Sequence, residues 1–311
     1  MRIAVVAQQF EDKCTDTEQW YGSKYKSEKL PADKLSSWSN CGQHDNLRLP
    51  DKNDFIPTNF SLTDRDWCEV THPTILQQNS MGRLWYKQDN EFLLPKNCIN
   101  IELKSPIAYS DPHHANLTYM FTTLFKDELN EYAYSAELAG IGYSLANTKS
   151  GITLAVKGYS DKQSVLLDKI IDKLTKFTVD QNRFKILKEL YIRNLKNFQA
   201  EQPHQHAVYY NSVLLSDRVW HKEELLEVLP DLTVEAVTDF IPRLLANLHI
   251  ECLVFGNCSP DHAISLYDGV VTKLTQDCRS RSLLPSQLTK EREVELRDGH
   301  SVYTTTNGVH R

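Results

Sequence analysis

The feature that most restricts this chain is a change of hydrophobic period between residues 98 and 159. In "NCINIELKSP", Ile99, Ile101 and Leu103 fall on one side of an alternating run, the pattern of a strand with one buried face. In "HHANLTYMFTTLFKDELNEYAYSAELAG", apolar residues recur at 117, 120/121, 124/125, 134 and 138. That is a long helical repeat, and Gly140 stops it. "GYSLANTKSGITLAVKGYS" then alternates again on both sides of "NTKSG" and reads as a hairpin. Half-buried strands and amphipathic helices must cover one another's apolar faces. The expected fold is therefore α+β, an antiparallel-dominated sheet covered on one face by helices.

The remaining segments extend this plan. "SDKQSVLLDKIIDKLTKF" predicts a helix with Ser160 and Gln163 placed as a capping box. Helices are expected at about 180–200, 203–217, 222–229 and 234–246, with Pro203 in a first turn where its missing N–H costs nothing. "HIECLVFGN" reads as a strand, "SPDHAISLYDGVVTKLTQ" as a helix and "LLPSQ" as a connector. Before this block, residues 1–10 read as a strand, a short helix follows, and residues 40–79 show little periodicity, as in a connector. "HSVYTTT" at 300–306 reads as a further strand. Strands at both ends would lack their sheets, so the chain is expected to self-associate through them.

Composition narrows the function. The net charge of −6 and pI near 6.0 argue against a nucleic-acid partner, and no apolar run approaches the roughly 18 residues of a membrane span. Seven cysteines, widely spaced and without C-x-x-C, read as reduced thiols of a cytoplasmic protein.

Candidate sites fare poorly as metal centres. His204 and His206 in "QPHQH" point about 200° apart on a helix and cannot chelate one ion. Hydrolytic zinc needs His-Glu-x-x-His or its inverse, His-x-x-Glu-His. "HKEEL" supplies His221 and Glu224 but has Leu225 at the second histidine, so it reads as a charged helix start. His113 begins "HHANL", where Asn116 and Leu117 occupy the glutamate and histidine positions. No catalytic residue and no metal ligand is assigned. The surface candidate is "DELNEYAYSAE", where Glu131, Tyr132 and Tyr134 could line a peptide-binding wall, although tyrosines packed at a sheet–helix interface fit the same pattern.

"TEQWYGSKY", "LPDKNDFIPTNF", "LWYKQDNEFLLPK", "LNEYAYSAELAG", "VKGYSDKQ", "NFQAEQPHQHAVYY", "LHIECLVFGN" and "LLPSQL" together resemble, in order, the pitrilysin family of inverted-motif zinc peptidases. The resemblance covers almost the whole chain. It implies a complete enzyme of four α/β domains in two bowl-shaped halves enclosing a peptide-sized chamber. Zinc and the catalytic residues would lie in the first and fourth domains, and the complete enzyme would hydrolyse small peptides such as peptide hormones. By the same resemblance, residues 1–40 match the end of the second domain and 41–67 the linker between halves. Residues 68–293 match a third, non-catalytic domain, and 294–311 the opening of a fourth. This chain would then be wall and hinge, with no cofactor of its own, partnered by the remaining domains. The rival reading is a stand-alone peptide- or partner-binding module.

Two outcomes are expected. Metal analysis after dialysis should find well under one zinc per chain, with no chelator-sensitive peptide cleavage. Replacing His204 and His206 by Gln in the complete enzyme should leave turnover within a few-fold, as expected for surface substitutions worth about 0.5 kcal/mol or less.

Overall fold

The computed structural model describes residues 2–42, 47, 52–64, 71–288, 290–296 and 298–299. The chain divides into two compact units, Met1–Lys52 and Asn53–Arg311.

In the first unit, a 3-10 turn spans Gln8–Lys13 and buries nothing. The short strands β1 (Asp16–Thr17) and β2 (Lys24–Tyr25) pair antiparallel. Their turn is tied by the Glu18 carboxylate, which accepts from the N–H groups of Trp20 and Tyr21, both at 2.7 Å. Helix α1 covers Ala32–Ser39, the short helix expected there. The strand expected over 1–10 does not form among the described residues: 2–7 are exposed and outside any strand, with Val6 96% exposed. An apolar run becomes a strand only where another strand supplies its hydrogen bonds, and none pairs with it among the described residues.

The second unit is built on one sheet in the order β3-β4-β8-β5-β7-β6, with β9 beside β8. Its elements, in chain order, are β3 (Thr74–Gln78), β4 (Gly82–Gln88), β5 (Lys96–Lys104), α2 (Pro112–Leu138), β6 (Ile141–Asn147), β7 (Gly151–Tyr159), α3 (Gln163–Thr175) and α4 (Gln181–Asn197). They continue with α5 (Pro203–Leu215), α6 (Lys222–Val228), α7 (Val234–Ala246), β8 (Asn247–Gly256), α8 (Pro260–Asp277) and β9 (Arg281–Ser282). Antiparallel pairs dominate; β8 runs parallel to β4 and to β9. The α+β expectation holds.

One face of the sheet is core. Ile99, Ile101 and Leu103 of β5 are buried as their alternation predicts, beside Leu248, Ile250, Cys252 and Val254 of β8. Helix α2 covers them with Met120, Phe121, Leu124, Phe125 and Leu129, and α3 adds Leu166, Ile170 and Leu174. Asp111 caps α2 by accepting from the His114 N–H at 2.8 Å, and Pro112 occupies the first turn. Beyond the helix Gly140 takes φ +81°, where a Cβ would stand 2.9 Å from the Tyr159 ring.

Three local readings are corrected. In α2 the buried stripe continues through Leu129, Ala133 and Ala136, leaving Tyr134 and Leu138 58% and 67% exposed. A 3.6-residue repeat counted from Phe121 and Phe125 places 134 half a turn away from the core. Ser160 and Gln163 form no capping box. Gln163 is itself buried and its Nε2 donates to the carbonyls of Asn97 (2.8 Å) and Gly158 (3.2 Å), where β5 and β7 leave them open. The supposedly irregular 40–79 contains β3, whose "TILQQ" is too polar to announce itself. The strand read in 300–306 lies outside the described residues.

Residues 53–64 have no regular structure but pack on this second unit. Phe55 is buried against Tyr132, ring centres 5.3 Å apart. Asp161 accepts from the N–H of Thr58 at 2.9 Å, and the Asn257 Oδ1 accepts from the N–H of Thr63 at 2.7 Å.

Phe125, fully buried between α2, the sheet and Phe177, should be indispensable to this packing. Phe125→Ala is expected to cost about 3–5 kcal/mol, measured by urea denaturation.

Candidate functional site

The start of α2 is where hydrolytic chemistry would sit, and its donors are committed elsewhere. Asn116 is fully buried; its Nδ2 donates to the Leu225 carbonyl at 2.8 Å, and its Oδ1 accepts from the Tyr191 hydroxyl at 2.9 Å. Tyr191 stacks on Tyr119 at 3.9 Å, and burial raises its hydroxyl pKa. Leu117 is core. The His114 Nδ1 lies 2.6 Å from the Asp111 carboxylate, and its ring packs on Phe240. Asn116 has both amide atoms engaged and Leu117 offers no lone pair, so these residues do not fit a zinc ion. Among the described residues no group of three or more His, Cys, Asp or Glu side chains is placed to hold a metal.

The histidines of α5 and at the start of α6 form no metal pair either. Pro203 opens α5. His204 is exposed, and the His206 ring lies 4.4 Å from that of Phe198. Lys222 extends its ammonium to 3.6 Å from the Phe198 ring centre, so His206 belongs to an aromatic cluster around a lysine. His221 precedes α6 and its N–H is accepted by Glu224 at 2.7 Å, the capped helix start the sequence suggests.

Of the surface tract on α2, Glu131 is exposed and Tyr134 is largely so. Tyr132 is partly buried between Phe55 and Lys169, and burial raises its hydroxyl pKa. All three belong to the helix layer, on the core side of the sheet.

The opposite face of the sheet holds a site that sequence reading did not single out. Strand register aligns its side chains in transverse rows. Arg83, Glu251 and Glu102 face one another across β4, β8 and β5, and Trp85, Leu253 and Asn100 form the next row. Trp85, Asn100, Glu102, Glu251 and Leu253, with His72, line a cavity of ≈ 540 Å³. Glu251 is its electrostatic centre. The carboxylate accepts from Arg83 Nη2 at 2.6 Å and from Trp85 Nε1 at 2.9 Å, and lies 2.8 Å from His249 Nε2. Burial alone would raise its pKa, but the hydrogen bonds from Arg83, Trp85 and His249 prevail and bring it from 4.5 to about 2. Glu102, directly opposite on β5, sets a second carboxylate beside it, with Lys104 3.4 Å away. Like charges facing across strands destabilise a sheet unless neutralised, so Arg83 and Lys104 compensate what the pairing costs. The arrangement suits binding: a strand-built floor with an indole, a leucine and charges of both signs. The available signal was the alternation in "GRLWYKQ" and "HIECLVFG", whose second residue sets carry this face.

Comparison with known proteins follows the same outline. The family model described as the middle or third domain of peptidase M16 matches residues 1–228. Insulin-degrading enzyme of Homo sapiens is 47% identical over 311 residues, which is all of this chain and 30% of that protein. The Drosophila melanogaster insulin-degrading enzyme is 41% identical over 312 residues, covering 100% of this chain and 32% of that one. The crystal structure of pitrilysin superposes with a TM-score of 0.73 at 21% identity, over 85% of this chain and 28% of that one. A peptidase M16 inactive domain from Pseudomonas fluorescens gives 0.52 at 12% identity, over 68% and 52% respectively. The chain thus spans about a third of the length of these curated relatives.

Because the folded pKa of Glu251 is depressed, its contribution to stability is complete above about pH 5 and is lost as pH falls toward about 2. Glu251→Gln should be destabilising at pH 7, and its deficit should shrink as pH falls through this window. Urea midpoints of both proteins between pH 7 and 2.5 measure it.

Proposed function

This chain belongs to the M16 peptidases as a middle domain of the insulin-degrading-enzyme type, and from that premise we propose that it is a non-catalytic wall and hinge of a peptide-enclosing chamber. In the complete protein, zinc and the hydrolytic residues would be supplied by other domains of the same polypeptide. Residues 1–40 would close the preceding domain, 41–67 would link the halves, 68–293 would form the third domain and 294–311 would open the fourth. Separation of the halves would admit and release peptides, and enclosure would select them by size. Its partners would be those domains and the enclosed peptide.

The observation that carries this reading is the contrast between the two faces of the sheet. On the helix side, the position where a catalytic relative needs a glutamate holds Asn116, locked by Tyr191 and Leu225. On the other side a cavity with Trp85 at its edge is covered by no helix among the described residues of this unit. We propose the uncovered face as the peptide-facing wall. Glu131, Tyr132 and Tyr134 are proposed as a second contact surface on the helix side, supported by the exposure of Tyr134. A cytoplasmic setting is proposed as well, supported by the free cysteines at 14, 41, 98, 252, 258 and 278. Among the described residues no helix is long and apolar enough to cross a membrane.

Separate substitutions in the complete enzyme test the two surfaces. Trp85→Ala should raise KM for a peptide substrate on the order of 5–30-fold, the loss of one buried aromatic contact, with kcat nearly unchanged. Tyr134→Ala should raise it less, since its side chain is largely exposed. An unchanged KM for Trp85→Ala with intact thermal stability would remove the uncovered face from the chamber wall.

A further inference from the structure

The two carboxylates that face each other across β8 and β5 are not equally engaged. Glu251 is held by Arg83, Trp85 and His249. Glu102 is not held in this way. Its side chain is 48% exposed, and among the described residues its one cationic neighbour within 4 Å is Lys104, at 3.4 Å. An exposed pair of this kind binds its members weakly. As a purely structural residue Glu102 is a poor choice, because a like charge directly opposite weakens a sheet. Its carboxylate keeps free acceptor positions, and they open into the cavity of ≈ 540 Å³.

The cavity supplies the rest of a complement. Trp85, Leu253 and Asn100 form the row beside Glu102. The indole is fixed in place: its Nε1 donates to Glu251 at 2.9 Å, and the Arg83 guanidinium lies 5.5 Å from its ring centre. An open carboxylate one row from an indole and a leucine suits a long side chain with an apolar stem and a cationic head. Two rows further along, the sign reverses. Lys87, Phe255, Cys98 and Lys157 stand side by side across β4, β8, β5 and β7. Lys87 donates to the Thr71 carbonyl, and Lys157 is exposed. A cation is therefore favoured at the Glu102 end and opposed at the other, about 14 Å away along the strands.

We propose that this cavity is a subsite for one lysine or arginine side chain of the enclosed peptide, with Glu102 as its ion-pair partner and Trp85 and Leu253 as its apolar floor. The inference rests on the chamber-wall reading given above and adds a charge preference to it. Lys104 is the resident competitor. Binding exchanges its exposed contact with Glu102 for one in which the ligand's stem also displaces water from the indole and the leucine. An acidic side chain meets repulsion at Glu102, and a second basic residue meets it at Lys87 and Lys157.

Matched peptide substrates of the complete enzyme test the assignment, each position outside the scissile pair carrying arginine, glutamine or glutamate in turn. At one position the arginine peptide should show a KM about 10-fold below that of the glutamine peptide, as expected for one charge-assisted contact. Glu102→Gln should bring these two values together, and Glu102→Lys should make the glutamate peptide the preferred one. Lys104→Gln should lower KM for the arginine peptide about two- to five-fold, by removing the competitor. Glu102→Gln also removes a like charge facing Glu251, so its Tm should not fall, which separates the KM effect from lost folding. Equal KM for the three peptides at every position, or an arginine preference that survives Glu102→Gln throughout, overturns the subsite. If Trp85→Ala still raises KM in that case, the chamber wall stands without a cation subsite. If Trp85→Ala is silent as well, the wall reading fails and the subsite falls with it.

Discussion

Everything in the second unit depends on β8 being inserted between β4 and β5. Without it the sheet is two separate pieces, since neither β4 nor β5 has another partner on that side. Insertion demands that the backbones approach closely: a Cβ on Gly82 would stand 1.9 Å from the Ile250 carbonyl oxygen. It also demands two different faces. Leu248, Ile250, Cys252 and Val254 turn into the core, while His249, Glu251, Leu253 and Phe255 turn out and supply the centre of the uncovered face. One strand therefore organises both the hydrophobic interior and the face proposed as the chamber wall.

The same economy explains the silence of α2 as a hydrolytic element. A buried glutamate and histidine on that helix would need a metal to compensate their desolvation. Asn116 and Leu117 need none, because the first is satisfied by Tyr191 and the Leu225 carbonyl and the second is packed. The helix retains its length and its cap and serves purely as a lid on the sheet. Family membership and the absence of a carboxylate at this position are thus compatible physically: the fold requires an apolar stripe and a polar atom with a partner.

Legibility in the sequence followed the strength of local signals. The strand at Ile99–Leu103, the hairpin around "NTKSG" and the helices from 181 onward are visible because period, caps and turn residues agree locally. β3 and the inward turn of Gln163 are not, because each is decided by a partner far away in sequence: the bulged ladder with β4, and the open carbonyls of Asn97 and Gly158. The uncovered face was invisible for a related reason. Arg83 and Trp85 meet Glu251 only through a parallel register that no short window contains. The family resemblance, carried by long matching stretches, supplied what periodicity could not, namely the expectation that this domain is non-catalytic.

The position of β8 also has a temporal consequence. Arg83 and its partner Glu251 are 168 residues apart, so a ribosome adding about 5–20 residues per second needs on the order of ten seconds or more between them. During that interval β4 and β5 exist with their inner edges unpaired and apolar faces uncovered. A hairpin such as β6–β7 can close at once, whereas the centre of the sheet must wait. The nascent chain therefore passes through a half-sheet with two vacant edges, the state in which misassembly with a neighbouring chain competes with folding. Chaperone demand in this protein should be greatest in that window and should end when the strand "HIECLVFG" leaves the exit tunnel.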